Sequence, residues 1–151
     1  MAVNQRYFAN YGIKMSKLIQ TIDFIEDFMR WSKKRKDIRA VALVGSYARE
    51  TATEVSDVDL VILTESPNEY ITDTEWIKVF GRAITKEVEK YGKLTSIRVW
   101  YESGLEVEYG FTTRDWATPP LDKGTKQVID NGMRVLFEKE KILSPHETSA
   151  R

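Results

Sequence analysis

Cysteine is absent from the 151 residues of this chain. That excludes disulfides, zinc ribbons and thiolate nucleophiles, and it permits a reducing compartment without requiring one. Histidine occurs once, at His146, in a polar tail where a catalytic part is the poorer reading. An excess of charge is also missing. The 23 basic and 23 acidic residues balance, so no global positive field draws nucleic acid to the surface, and nucleic acid is not an expected partner. No apolar run has the length of a membrane-spanning helix. The polar opening MAVNQRYFANYG is unlike a signal peptide. The expected setting is a soluble cytoplasmic domain with no membrane partner.

The length suits one domain with a real core. Residues 1–15 lack a clear period and are expected to form an arm. Residues 16–143 carry the domain and 144–151 a flexible tail. From Ser16, a candidate N-cap, apolar residues recur at helical steps (Leu18, Ile19, Ile22, Ile25, Phe28, Met29) until Lys33–Lys36, where four cations complement a helix end. Ile38–Gly45 reads as a central strand, Ser46 to Thr53 as a short helical turn, and Asp57–Leu63 as the next strand. Residues 65–72 read as a polar loop. A second long helix is expected from Asp73 or Thr74 to Tyr91, with Trp76, Ile77, Phe80, Ile84 and Val88 on its apolar face and Gly92 ending it. Leu94–Glu102 and Leu105–Thr112 form a hairpin about Ser103-Gly104. A short helix over 121–132 and a strand over 133–138 close the chain. The reading is an α/β (α+β) domain with a mixed sheet of about five strands flanked by helices.

Two short motifs carry chemistry. A strand that stops at Gly45 and restarts as a helix at Ser46 presents unpaired backbone N–H groups to an anion, although Ser46 can equally be a simple cap. No Gly-Lys-Ser/Thr follows, so this is not a P-loop. Asp57 and Asp59 point to the same side of their strand. At roughly 5 Å and an effective dielectric near 20 they repel by about 3 kcal/mol. A cation offsets that repulsion, and oxygen-only ligands suit magnesium. Glu106 and Glu108 share one face of a later strand. If that strand lies beside the aspartates, one glutamate completes a three-carboxylate cluster around two divalent ions. Alternatively, the pair is a solvated ladder on an amphipathic strand.

The run VALVGSYARETATEVSDVDLVIL resembles the signature of the DNA polymerase beta-like nucleotidyltransferase superfamily. GLEVEYGFTTRDWA is similar to the third-carboxylate strand of bacterial relatives of the antibiotic adenylyltransferases, and LDKGTKQVIDNGMRVLFEKEKIL to their closing segment. The likeness covers about Ile38 to Leu143. It implies a nucleotidyltransferase fold in which Gly45 and Ser46 cradle the phosphates of ATP or another nucleoside triphosphate. Asp57, Asp59 and Glu108 would hold two Mg²⁺ ions, with Glu106 as the fallback third acid. Arg49, one turn into the short helix, can reach triphosphate oxygens or simply pair with Glu50 or Glu54. One position departs: members often carry glycine four residues after the serine, and here Glu50 stands there.

The resemblance implies transfer of a nucleoside monophosphate, AMP from ATP, to an acceptor hydroxyl with release of pyrophosphate. The acceptor is an aminoglycoside- or lincosamide-like small molecule or a protein, with a homodimer or a helical partner protein supplying the second wall of its pocket. Two alternatives stand beside it: a minimal nucleotidyltransferase antitoxin acting on a helical partner, and a regulatory nucleotide-binding domain without turnover.

Overall fold

A computed structural model describes residues 13–147. The expected N-terminal arm lies outside them up to residue 12, as do residues 148–151 of the expected tail. Helix α1 (Met15–Lys33) buries Ile22, Phe24, Ile25, Phe28 and Met29, the three- and four-residue spacing that puts one face on a core. Thr21 and Ser32 are buried on the same face. Their hydroxyls donate to the carbonyls of Lys17 and Phe28, one turn back, at 3.0 and 2.7 Å, and the Thr21 hydroxyl also meets that of Tyr47 at 3.4 Å. The N-cap is Lys14 rather than Ser16, which lies inside the first turn.

The sheet has six strands in the order β3-β4-β5-β2-β1-β6. They are β1 (Ile38–Val44), β2 (Val58–Thr64), β3 (Ala83–Tyr91), β4 (Leu94–Tyr101), β5 (Glu106–Thr112) and β6 (Met133–Glu138). Pairing of β2 with β5 is parallel and the other four pairings are antiparallel. The mixed sheet is as expected, with one strand more. Between β1 and β2 lies the short helix α2 (Gly45–Arg49), and after β2 comes α3 (Pro67–Thr72). Residues 67–72 are therefore not the expected loop. Pro67 at the helix start presets the first helical φ and gives up an N–H that had no partner to lose.

The expected long helix over 73–91 is absent. Glu75–Phe80 forms a 3₁₀ turn that buries Trp76 and Ile77. The chain then bends at Gly81 (φ 138°) and runs out as β3, exposed along its whole length. A Cβ at Gly81 would lie 3.2 Å from the Tyr101 ring, so this position takes glycine on two grounds. At the far end Tyr91 pairs with Leu94 across Gly92-Lys93, and Gly92 has φ 62°. Both a helix C-terminus and a two-residue hairpin turn ask for a positive-φ glycine there, which is why Gly92 alone does not separate them.

One sheet face packs against α1 through interlocked rings. Tyr70 stacks on Phe111 at 5.1 Å, and Trp76 meets Tyr109 edge-on at 4.7 Å. Beside them Asp37, at the start of β1, accepts from the hydroxyls of Thr64 and Tyr70 at 2.7 and 2.6 Å. Arg35 donates to the Tyr70 oxygen at 2.9 Å while lying over the Trp31 ring. Burial works against the Asp37 charge, yet these hydrogen bonds outweigh it and hold the carboxyl below its ordinary value.

The opposite face is partly covered. Ala40, Ala42, Val61 and Leu63 pack under Trp116, helix α4 (Lys123–Asp130) and Leu143. Asp122 caps α4, accepting from the Thr125 amide at 2.8 Å. Of the expected tail, Ser144–His146 is a 3₁₀ turn, and the His146 ring nitrogen lies 2.8 Å from the Ala117 carbonyl. Glu138 Oε2 accepts the amides of Ile142, Leu143 and Ser144 at 3.0–3.3 Å. Among the described residues no helix is long and apolar enough to cross a membrane.

Candidate active site

Strand register gathers the chemistry in one lateral row. Val44 is opposite Asp59, Asp59 is opposite Glu108, and Glu108 is opposite Arg98. Residues facing each other across a ladder share a sheet face. The face is the partly covered one, because Leu60 and Ile62 on β2 and Val107 and Tyr109 on β5 point into the aromatic core. Asp57, two residues before Asp59, points the same way. Carboxylate oxygens of Asp57, Asp59 and Glu108 lie within 4.8 Å of one another. Glu106 is on the same face but farther along β5, and its carboxylate accepts from Arg98 at 2.8 Å.

Asp59 is the strained member. It is packed against Gly45 so closely that a Cβ there would lie 2.2 Å from Asp59 Oδ2. Its other oxygen, Oδ1, is buried with no hydrogen-bond partner among the described residues. Desolvation, then the charges of Asp57 and Glu108, push its carboxyl up to about 9. A group in that state either keeps a proton or meets a cation. Three converging carboxylates, one of them carrying a buried unpartnered oxygen, fit a hard divalent ion, and the donor set holds no nitrogen or sulfur.

Gly45 opens α2 with φ 73°, a left-handed conformation that glycine adopts freely. Conformation and the crowding by Asp59 together dictate this residue. Ser46 follows on the first turn, half-buried, and its carbonyl accepts the Thr51 amide at 2.9 Å. Arg49 is exposed and makes no ion pair among the described residues, so the alternative pairing with Glu50 or Glu54 is not formed. Glu50 ends α2 at φ 62°, which explains why glycine would suit the position. Its carboxylate lies 3.7 Å from Arg134.

Above the row opens a cleft of about 820 Å³ lined by Gly45, Arg49, Asp59, Glu108, Trp116 and α4. Its far wall is the β3–β4 hairpin, with Tyr91 and Leu94. Sequence reasoning missed Arg98. Its guanidinium reaches Asp57 at 3.1 Å, Glu106 at 2.8 Å and Glu108 at 3.3 Å. Counting back from a two-residue Ser103-Gly104 turn would put Val99 opposite Glu108. The observed pairing is shifted by one residue, with the Tyr101 amide donating to the Leu105 carbonyl at 2.8 Å, and this brings Arg98 there instead.

The streptomycin adenylyltransferase family model matches residues 20–150. A candidate protein adenylyltransferase of Methanocaldococcus jannaschii is 34% identical over 74 residues, 40% of this chain and 76% of that protein. Among solved structures, an aminoglycoside 6-adenyltransferase from Bacillus subtilis superposes with TM-score 0.56 at 17% identity, covering 81% of this chain and 41% of that one. Cid1 in complex with a UTP analogue gives TM-score 0.51 at 13% identity, covering 82% and 37%. At such identities the structures speak for the fold, and this chain spans about two-fifths of their length.

Proposed function

Because the chain belongs to the streptomycin adenylyltransferase family of nucleotidyltransferases, we propose that it transfers AMP from ATP to an acceptor hydroxyl, releasing pyrophosphate. In that reaction a bond forms between the acceptor oxygen and the α-phosphorus, and the bond from the α-phosphorus to the bridging oxygen breaks in line. One observation carries the reading: Asp57, Asp59 and Glu108 converge beside Gly45-Ser46, with a buried Asp59 oxygen unpartnered.

Asp57 and Asp59 would hold divalent ions, two Mg²⁺, with Glu108 as third ligand. Such ions, when bound, lower the pKa of an acceptor hydroxyl and stabilise charge on a leaving pyrophosphate. Gly45 and Ser46 receive triphosphate oxygens at the start of α2, with Arg49 close enough to add charge. Glu108 is the group placed to draw off the acceptor proton. The cleft between α4 and the β3–β4 hairpin takes the nucleotide, and its open side admits the acceptor.

A small hydroxylated molecule of the aminoglycoside or lincosamide kind is the leading acceptor. A protein acceptor is the second reading, supported by the 34% identity to a candidate protein adenylyltransferase. Under either reading a second copy of the chain or a helical partner completes the acceptor pocket. A carboxylate at Glu50, where members often carry glycine, would speak for the alternative without turnover if it faced incoming phosphates, but its approach to Arg134 at 3.7 Å favours the catalytic reading. The test is transfer of label from α-³²P-ATP with Mg²⁺, screened over aminoglycosides, lincosamides and small helical proteins. Equal transfer by wild type and by an Asp57→Ala/Asp59→Ala variant overturns the assignment.

A further inference from the structure

We propose that Arg98 is a built-in counter-cation of the acid cluster, holding Asp57 and Glu108 until a divalent ion arrives and then withdrawing onto Glu106. The inference rests on the reading of Asp57, Asp59 and Glu108 as cation ligands, and it gives parts to two residues that reading leaves idle.

The guanidinium bridges three acids at once. Nη1 lies 3.1 Å from Asp57 Oδ2 and 2.8 Å from Glu106 Oε2, and Nη2 lies 3.3 Å from Glu108 Oε1. Arginine does not give up its proton in a protein. A fixed positive charge touching two of the three acids therefore opposes a divalent ion among them, since like charges a few ångströms apart repel strongly in a partly buried site. Arg98 does not replace such an ion. Its ion-pair partners among the described residues are Asp57, Glu106 and Glu108 and not Asp59, whose buried Oδ1 stays without a partner among those residues. The arginine neutralises the rim of the cluster and leaves its centre unsatisfied.

The side chain also has somewhere to go. Glu106 is its shortest contact and sits two residues along β5 from Glu108, outside the converging trio. The Trp100 ring, on the same face of β4, lies 5.9 Å from the guanidinium carbon and offers a second rest. Withdrawal thus keeps one ion pair and releases two.

The test is calorimetric titration of the full chain with Mn²⁺, comparing wild type, Arg98→Gln, Arg98→Lys, Glu106→Gln and the double variant Arg98→Gln/Glu106→Gln. Loss of the competing charge in Arg98→Gln tightens Mn²⁺ binding about tenfold, and Arg98→Lys stays near wild type. Glu106→Gln weakens binding, because the arginine loses its retreat. In the double variant that weakening disappears, since Glu106 acts only through Arg98. Arg98→Gln also lowers the melting temperature of the metal-free protein, a readout independent of any ion. Unchanged or weaker Mn²⁺ binding by Arg98→Gln overturns the inference, and so does a Glu106→Gln defect that persists in the double variant. An Asp59→Asn control separates the two levels. If that variant binds Mn²⁺ like wild type, the cation site itself is wrong, whatever Arg98 does.

Discussion

At the scale of single residues, Asp59 and Gly45 constrain each other. Asp59→Asn keeps the shape and removes a carboxyl that must take up a proton to be buried without a cation, so at neutral pH the metal-free protein gains melting temperature as it loses divalent-ion binding and transfer. The pH dependence has a definite sign. With its carboxyl raised from 3.8 to about 9, folded Asp59 binds a proton that the unfolded chain releases, so its contribution is full below the ordinary value and is lost as pH rises through about 9. Thermal melts of chelator-treated protein fall in temperature across that range, and the fall is shallower in Asp59→Asn. Gly45→Ala meets both the left-handed φ and the Asp59 oxygen. It costs at least about 1–3 kcal/mol in urea unfolding, the price of a strained backbone alone. Asp57 and Asp59 could be singled out in sequence because their spacing encodes a shared face, Gly45 and Ser46 because a strand gives way to a helix there, and Glu108 rather than Glu106 only through the family resemblance. Arg98 could not be ranked that way: an arginine between Ile97 and Val99 looks like any solvated strand position until the hairpin register is known.

At the scale of elements, the strands that alternate or run apolar were legible, and the segment over 73–91 was not. Ile84 and Val88 are four apart, as on a helix, and Glu and Lys between them favour helix locally. What decided the outcome was tertiary: Gly81 bends the chain, and Gly92-Lys93 returns it as a hairpin against β4. Charged Lys86, Glu87, Glu89 and Lys90 on this edge guard it against pairing with a stray strand. The Asp37 network joins the end of α1, the start of β1, the end of β2 and α3. Asp37→Ala leaves the Tyr70 and Thr64 hydroxyls without their acceptor and costs about 1–3 kcal/mol by chemical denaturation. Because the folded carboxyl is held below its usual value, this contribution is present above the ordinary pKa and fades as pH falls through the lower folded one.

At the scale of the whole molecule, an ion that binds only the folded cluster stabilises it by mass action, about 2.7 kcal/mol at a hundred times its dissociation constant. Mg²⁺ or Mn²⁺ therefore raises the melting temperature of wild type, and the rise vanishes in Asp57→Ala/Asp59→Ala. An equal rise in both would point to an ion bound elsewhere. The single parallel pairing gives this effect a direction. The sheet divides into two antiparallel triplets, β6-β1-β2 and β3-β4-β5, and β2 beside β5 is the seam between them. Asp57 and Asp59 belong to one triplet and Glu108 to the other, so a cation among them stitches the halves together. Amide exchange should then slow in both triplets at once when metal is added, with the seam itself the last part to open.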